Sequence, residues 1–304
     1  MKKFKLIIEI LMICIISLTA QDMFTARQLT FDPAQEGFGT WSPDGKFIVY
    51  QYTDLRDTTG KNGLWRISPD GTGAKQVFKG IAEHPKWSPD GRYIVFDADT
   101  GKSIKMIPAE GGDPIKFLPD TIHINNGGLP CWSPDASQIA FKDSLYSLCI
   151  YNMKTGKTAR VFNQEGKLLL PGCWSHDGKY VLIALMDRQS RKSTMWKISP
   201  DGKERKQIIR HLKNFYRYLA LSPDGTLLVY AAKGGRYLGL YIMPAEGGDS
   251  LPLAVTSQGL NEGPSWSPDG KKIAFTSTRS GSFDIWTMDM NIEQVKKEIR
   301  MLSK

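Results

Sequence analysis

Trp41-Ser42-Pro43-Asp44-Gly45 decides the reading of this chain, because it returns five times. Trp87-Ser88-Pro89-Asp90-Gly91 and Trp266-Ser267-Pro268-Asp269-Gly270 repeat it unchanged. Trp132-Ser133-Pro134-Asp135-Ala136, Trp174-Ser175-His176-Asp177-Gly178 and Leu221-Ser222-Pro223-Asp224-Gly225 each change one residue. Successive copies begin 46, 45, 42, 47 and 45 residues apart. A period in the forties, sustained along a chain, marks a repeat architecture whose units bury their apolar faces on one another. Within each copy Pro presets a negative φ, Asp bonds back to nearby backbone and Gly accepts positive φ, which makes a tight reversal. Ala136 replaces the turn glycine of the third copy, so strain or a shifted turn is expected there.

Each reversal runs into a short β-branched or aromatic segment, for example Phe47-Ile48-Val49-Tyr50, Tyr93-Ile94-Val95-Phe96 and Ile273-Ala274-Phe275. These read as buried strands. Third strands follow around Trp65, Met106, Ile150, Trp196, Tyr241 and Trp286, and Gly-rich turns close five of them. Fourth strands are expected at 75–78, 114–118, 159–162, 206–209 and 252–255. Four antiparallel strands in each of six units predict an all-β, six-bladed β-propeller. The sixth unit lacks its own fourth strand. Arg27-Gln28-Leu29-Thr30-Phe31 stands before the first motif as Lys75-Gln76-Val77-Phe78 stands before the second, so the N-terminal strand is expected to close the ring. Ile299-Arg300-Met301-Leu302 competes for that place, and 292–297 reads as a short helix. The motif Asp residues are read as turn chemistry, and the tryptophans as wedges between neighbouring sheets.

Residues 1–20 have the layout of a secretory signal: Lys2, Lys3 and Lys5, an apolar run from Leu6 to Leu18, and Ser17-Leu18-Thr19-Ala20 as the cleavage site. Glu9 interrupts the apolar run, and Ile13 before Cys14 argues against a lipoprotein signal. Residues 26–304 are then expected to be one propeller domain in the periplasm or otherwise exported, a monomer with no membrane span after cleavage. The formal net charge is +9, to which the segment up to Ala20 contributes +2. An exported basic protein without a recognition helix or RNA-binding signature points to an acidic partner or surface rather than to nucleic acid. Cys131 and Cys173 share the position just before the motif tryptophan. Equivalent positions in adjacent blades need not lie within disulfide reach, so a bond there is open and not the expectation.

Motif turns and Gly-rich turns share one face of such a ring. The opposite face carries the loops leading into each first strand and the longer hairpins. There the repetition stops, and variation on a repeated scaffold is where binding sits. The candidate binding residues are Glu36, Glu83, His84, Asn126, Tyr216, Arg217, Glu262 and Arg279. Hairpin residues such as Asp54, Arg56, Asp57, Asp97, Asp99 and Asp187 surround them. An alternative is a metal-dependent lyase or hydrolase at the channel mouth, since His84, His123 and His211 fall in these loops beside Glu36, Glu83 and Glu262. No short-range ligand spacing ties them together, so neither metal nor cofactor is assigned. No Gly-x-Ser-x-Gly elbow is present, which removes the usual nucleophilic hydrolase.

Trp-Ser-Pro-Asp-Gly-Lys, then Ile-Ala-Phe, Arg-x-Gly and Ile-Trp, resembles the WD40-like (PD40) repeat of the TolB family, most completely over 264–287. The resemblance covers 26–290. It implies a propeller that acts without catalysis as a protein-binding platform in the bacterial envelope, its partner an envelope protein such as a lipoprotein or outer-membrane component; the loop face leaves a glycan open as another ligand class. The family also carries an α/β domain ahead of the propeller. Too few residues separate the expected cleavage site from the first strand to hold one, which weakens the link to Tol–Pal.

Overall fold

The computed structural model describes residues 24–190, 192–212, 215–234, 237–254 and 259–302, together with the backbone but not the side chains of 210–212, 215–217 and 234. The secretory signal expected in residues 1–20 lies outside them.

Six sheets stand around an axis. The first is β2 (Gln35–Trp41), β3 (Ile48–Thr53), β4 (Gly63–Ile67) and β5 (Lys75–Lys79), paired in sequence order. The second has three strands, β6 (Ala82–Trp87), β7 (Tyr93–Ala98) and β8 (Ser103–Pro108). The third contains β9 (Cys131–Trp132), β10 (Gln138–Lys142), β11 (Leu148–Asn152) and β12 (Thr158–Phe162). The fourth holds β13 (Lys167–Trp174), β14 (Val181–Asp187), β15 (Ser193–Ile198) and β16 (Arg205–Leu212). The fifth is built from β17 (Phe215–Leu221), β18 (Leu227–Gly234), β19 (Tyr237–Pro244) and β20 (Leu251–Ala254). The sixth joins β21 (Asn261–Trp266), β22 (Lys272–Ser277) and β23 (Asp284–Asp289) to β1 (Ala26–Gln28). The first strands β2, β6, β9, β13, β17 and β21 neighbour one another around the axis. This is the six-bladed propeller that the repeat predicts.

The N-terminal strand closes the ring. Ala26, Arg27 and Gln28 pair with Met288, Thr287 and Trp286. The competing C-terminal segment is instead the end of a helix, α1 (Ile292–Leu302), which buries Val295 and Ile299 against the fifth and sixth blades. Asn291 caps it by accepting from Gln294 N at 3.1 Å.

The expected strand at 114–118 does not form. Ile115 makes one bridge to Met106, donating its N–H at 2.6 Å. Pro114 has no N–H to add to the ladder, and Pro119 ends the segment.

The motif turns satisfy their own polar groups. In the first copy Ser42 Oγ donates to Asp44 Oδ1 at 2.7 Å and accepts from Phe47 N at 2.9 Å, while Gly45 N reaches Ser42 O. The third copy keeps the same turn, with Ala136 held at φ 58° and its N–H on Ser133 O at 2.9 Å. The turn is therefore not shifted; the strain stays in Ala136. The tryptophans tie blades together, since the indoles of Trp87, Trp174 and Trp266 donate to Thr40 O, Cys131 O and Ala220 O of the preceding blades at 3.1–3.2 Å.

Candidate functional site

In five of the six blades the first strand changes register about three residues before the motif tryptophan, or before Leu221 in the fifth copy. Bulges fall between Gly37 and Thr40, Glu83 and Lys86, Pro171 and Cys173, Phe215 and Leu219, and Glu262 and Ser265. A bulge re-aims a side chain, and here it aims one from each of five blades at the axis, while Leu129 of the third blade reaches it from the loop before β9. The six residues are Phe38, His84, Leu129, Pro171, Tyr218 and Gly263, and all line one axial cavity. Phe38, His84, Leu129 and Tyr218 have φ between 51° and 72°, a conformation that L-residues adopt only when their surroundings enforce it. Gly263, at φ 60°, leaves the room that the ring of Phe38 fills; a Cβ there would stand 2.9 Å from that ring.

Three rings close the axis. The centroid of Phe38 lies 4.5 Å from that of His84 and 4.8 Å from that of Tyr218. His84 Nδ1 is 2.9 Å from Asp97 Oδ2, and its Nε2 is 3.1 Å from the Tyr218 hydroxyl, so one hydrogen-bonded chain joins the second and fifth blades across the channel. Asp97 is fully buried and also accepts from Gly128 N at 2.6 Å and Leu129 N at 3.1 Å. Lys142, 2% exposed, holds the other side of that loop, with Nζ on the carbonyls of Asn125, Asn126 and Gly127. Two buried charges thus shape the loop that brings Leu129 to the axis.

The cavity that these rings line is about 30 Å³, room enough for water. Lys86 lines it beside Cys131 and Cys173, and desolvation lowers its pKa. Burial pushes the Cys173 thiol up to about 11 and raises Cys131 as well. Both thiols are free and unreactive in that state.

The structure separates the sequence candidates. His84 reaches the axis, joined there by Asp97 from its own blade. Exposed Asn126 and half-buried Glu83 flank it, Asn126 at φ 55°. Glu262 pairs across its strand with Thr276. Arg279 is fastened to the sixth blade: it stacks 4.7 Å from the Trp286 ring and donates to Asn261 Oδ1 at 3.0 Å. Tyr216 and Arg217 lie in β17, their side chains outside the described set along with His211. Glu36 is buried away from the axis, in a pocket between the first and last blades. The hairpin acids mostly organise their own loops. Asp57 takes the N–H groups of Thr59, Gly60 and Asn62, and Asp187 pairs with Lys167 at 2.5 Å. Among the described residues no three His, Cys, Asp or Glu are grouped to hold a metal ion.

Phe38, Lys86, Lys142 and Tyr218 are absent from the sequence candidates. Aligning the six first strands on their tryptophans would have exposed the variable position before each bulge, the one signal available.

Residues 142–301, just over half of the chain, match the family model of the TolB β-propeller domain, PD40. An uncharacterized protein of Agrobacterium fabrum is 27% identical over 177 residues, 55% of this chain and 56% of that protein. The Tol-Pal system protein TolB of Francisella tularensis subsp. mediasiatica is 28% identical over 99 residues, 32% of this chain and 22% of that protein. The chain therefore spans about half the length of the first relative and about a fifth of the second. Among solved structures, oligogalacturonate lyase of Vibrio parahaemolyticus superposes with a TM-score of 0.61 at 13% identity, covering 88% of this chain and 94% of that one. At that identity the likeness concerns the fold alone.

Proposed function

The chain belongs to the TolB β-propeller domain family, and from that membership we propose that it works as a non-catalytic binding platform, exported to the bacterial envelope, whose ligand is an envelope protein. One observation carries this reading: the axis is closed by Phe38, His84 and Tyr218, leaving about 30 Å³. Among the described residues the axial cavity is small, and the nonrepeating loops surround its mouth. Glu83, Asn126, Tyr216, Arg217 and Glu262 are the contacts proposed on that face. The relative from Francisella is a Tol-Pal system protein by name, which supports an envelope partner. No helix among the described residues is long and apolar enough to cross a membrane.

The test is cross-linking in intact envelopes followed by capture, repeated with Arg56→Glu and Arg217→Glu together. A specific co-captured envelope protein that is lost in the folded double variant is the expected result. Equal capture by both proteins would sink the loop-face assignment.

A second reading, lyase or hydrolase chemistry, has one observation in its favour. The Tyr218–His84–Asp97 chain is a hydrogen-bonded acid–base arrangement facing the axis. Turnover of a uronate or lactone substrate that disappears in folded His84→Gln would replace the platform reading.

A further inference from the structure

Between the first and last blades, under the segment that leads from β1 to β2, lies a second pocket of about 300 Å³, open to solvent. Its walls include Tyr50, Tyr52 and Trp65, its rim Phe31, which is 75% exposed, and its acidic side Asp32 and Glu36. The rings of Tyr52 and Trp65 stand 6.0 Å apart, and the Tyr52 hydroxyl donates to Asp32 Oδ1 at 3.0 Å. Glu36 is only 3% exposed; Thr30, the Asp32 backbone and Tyr50 bond its carboxyl, while its Oε2 has no hydrogen-bond partner. Asp284 of β23, fully buried nearby, likewise has Oδ1 unpartnered while Ser282 Oγ bonds its other oxygen at 3.0 Å.

Buried acceptors without donors cost free energy unless something supplies the missing charge or hydrogen. Aromatic faces beside carboxylates complement one chemical group above others, an organic ammonium, whose charge meets both the carboxylates and the ring quadrupoles. We propose that this pocket binds an organic ammonium group, with the Glu36 carboxylate as its counter-ion and Tyr52 and Trp65 as its aromatic walls. The site is distinct from the loop face and does not depend on the platform reading.

The pocket handles its charge by protonation. Burial, with Asp284 and Asp32 adding repulsion, raises Glu36 to about 7 despite bonds that lower it from Thr30 and the Asp32 backbone. Tyr50 and Tyr52 face it from β3, Asp284 from β23, Asp32 from the preceding segment, and exposed Lys61 from the pocket rim. An ammonium therefore competes with a proton for Glu36. Its affinity rises about tenfold between pH 6 and pH 8 and levels off above.

The probe is n-butylammonium, titrated at pH 6 and pH 8 and read at the Trp65 indole N–H resonance, which is assigned with Trp65→Phe. Saturable shifts with the tenfold pH step are expected. The isosteric Glu36→Gln should lose at least tenfold in affinity at pH 8 and all of the pH step, and Trp65→Ala should weaken binding while keeping that step. A capped Gly-Lys-Gly peptide binding more tightly than butylammonium would identify the source as a lysine of a polypeptide; equal binding would identify a free amine. The proposal falls if 1-butanol binds as well as butylammonium, if no saturation occurs, or if folded Glu36→Gln keeps both affinity and slope.

Discussion

The reversal recurs in all six blades and the bulge about three residues before it in five, yet the two are opposite in chemistry. In every reversal the Ser hydroxyl bonds the Asp carboxylate and a backbone N–H within five residues, so each copy needs the same Ser and Asp. Every bulge aims its residue at a shared axis, where six different neighbours must fit one another. Identical side chains would collide or leave a void there. Local satisfaction conserves a motif along the chain, and convergence on one point diversifies it.

The sharpest way to break this contrast is to remove Asp97, which serves His84, Gly128 and Leu129 at once. Asp97→Ala should cost about 3–5 kcal/mol in urea unfolding, because it leaves several buried donors without acceptors. Combined with His84→Ala its effect should be strongly non-additive.

Next in size comes Glu36, one residue before the first bulged strand segment. Its folded pKa is raised from 4.5 to about 7, so the folded protein retains a proton that the unfolded chain has already lost across that window. This stabilising contribution is complete below pH 4.5 and vanishes as pH rises to about 7, a change of up to about 3 kcal/mol. Denaturation midpoints of wild type should fall over this range relative to those of Glu36→Gln, which has no carboxyl to titrate at this position.

For the reversals, Ser42→Ala should cost about 1 kcal/mol by freeing Phe47 N. Ser42→Ala and Ser133→Ala together should add, since their turns share no partner. A coupling energy above about 0.5 kcal/mol in the chemical unfolding cycle would show that the turns are not independent. The smallest effect, and of opposite sign, belongs to Ala136→Gly. Relief of the left-handed backbone at φ 58° should stabilise the protein by somewhat less than about 1 kcal/mol, seen as a small rise in Tm.

The same contrast explains what the sequence made legible. Ser, Pro, Asp and Gly act on residues beside them, so six blades, their strand order and the N-terminal closure could be read from spacing. His84 was visible as a histidine in a loop, but its partners come from β7 and β17, 13 and 134 residues away. Glu36 seemed to belong to the channel mouth because its loop does; the strand pleat, opposing it to Tyr52, turns it toward the clasp instead. Arg279 stands among the loop-face candidates by its place in a hairpin, but Trp286 and Asn261 already engage it. The missing strand at 114–118 was foreshadowed by Pro114, whose lack of an N–H is a local fact.

Three residue pairs hold β1 to β23, and both ends of the described chain run through that one blade. Under tension the ring is a belt with a single buckle. A pull on the N-terminal end would unzip Ala26, Arg27 and Gln28 in turn, and would then meet the bonds of Leu29 and Thr30 to Ile285 before the first and sixth blades could part.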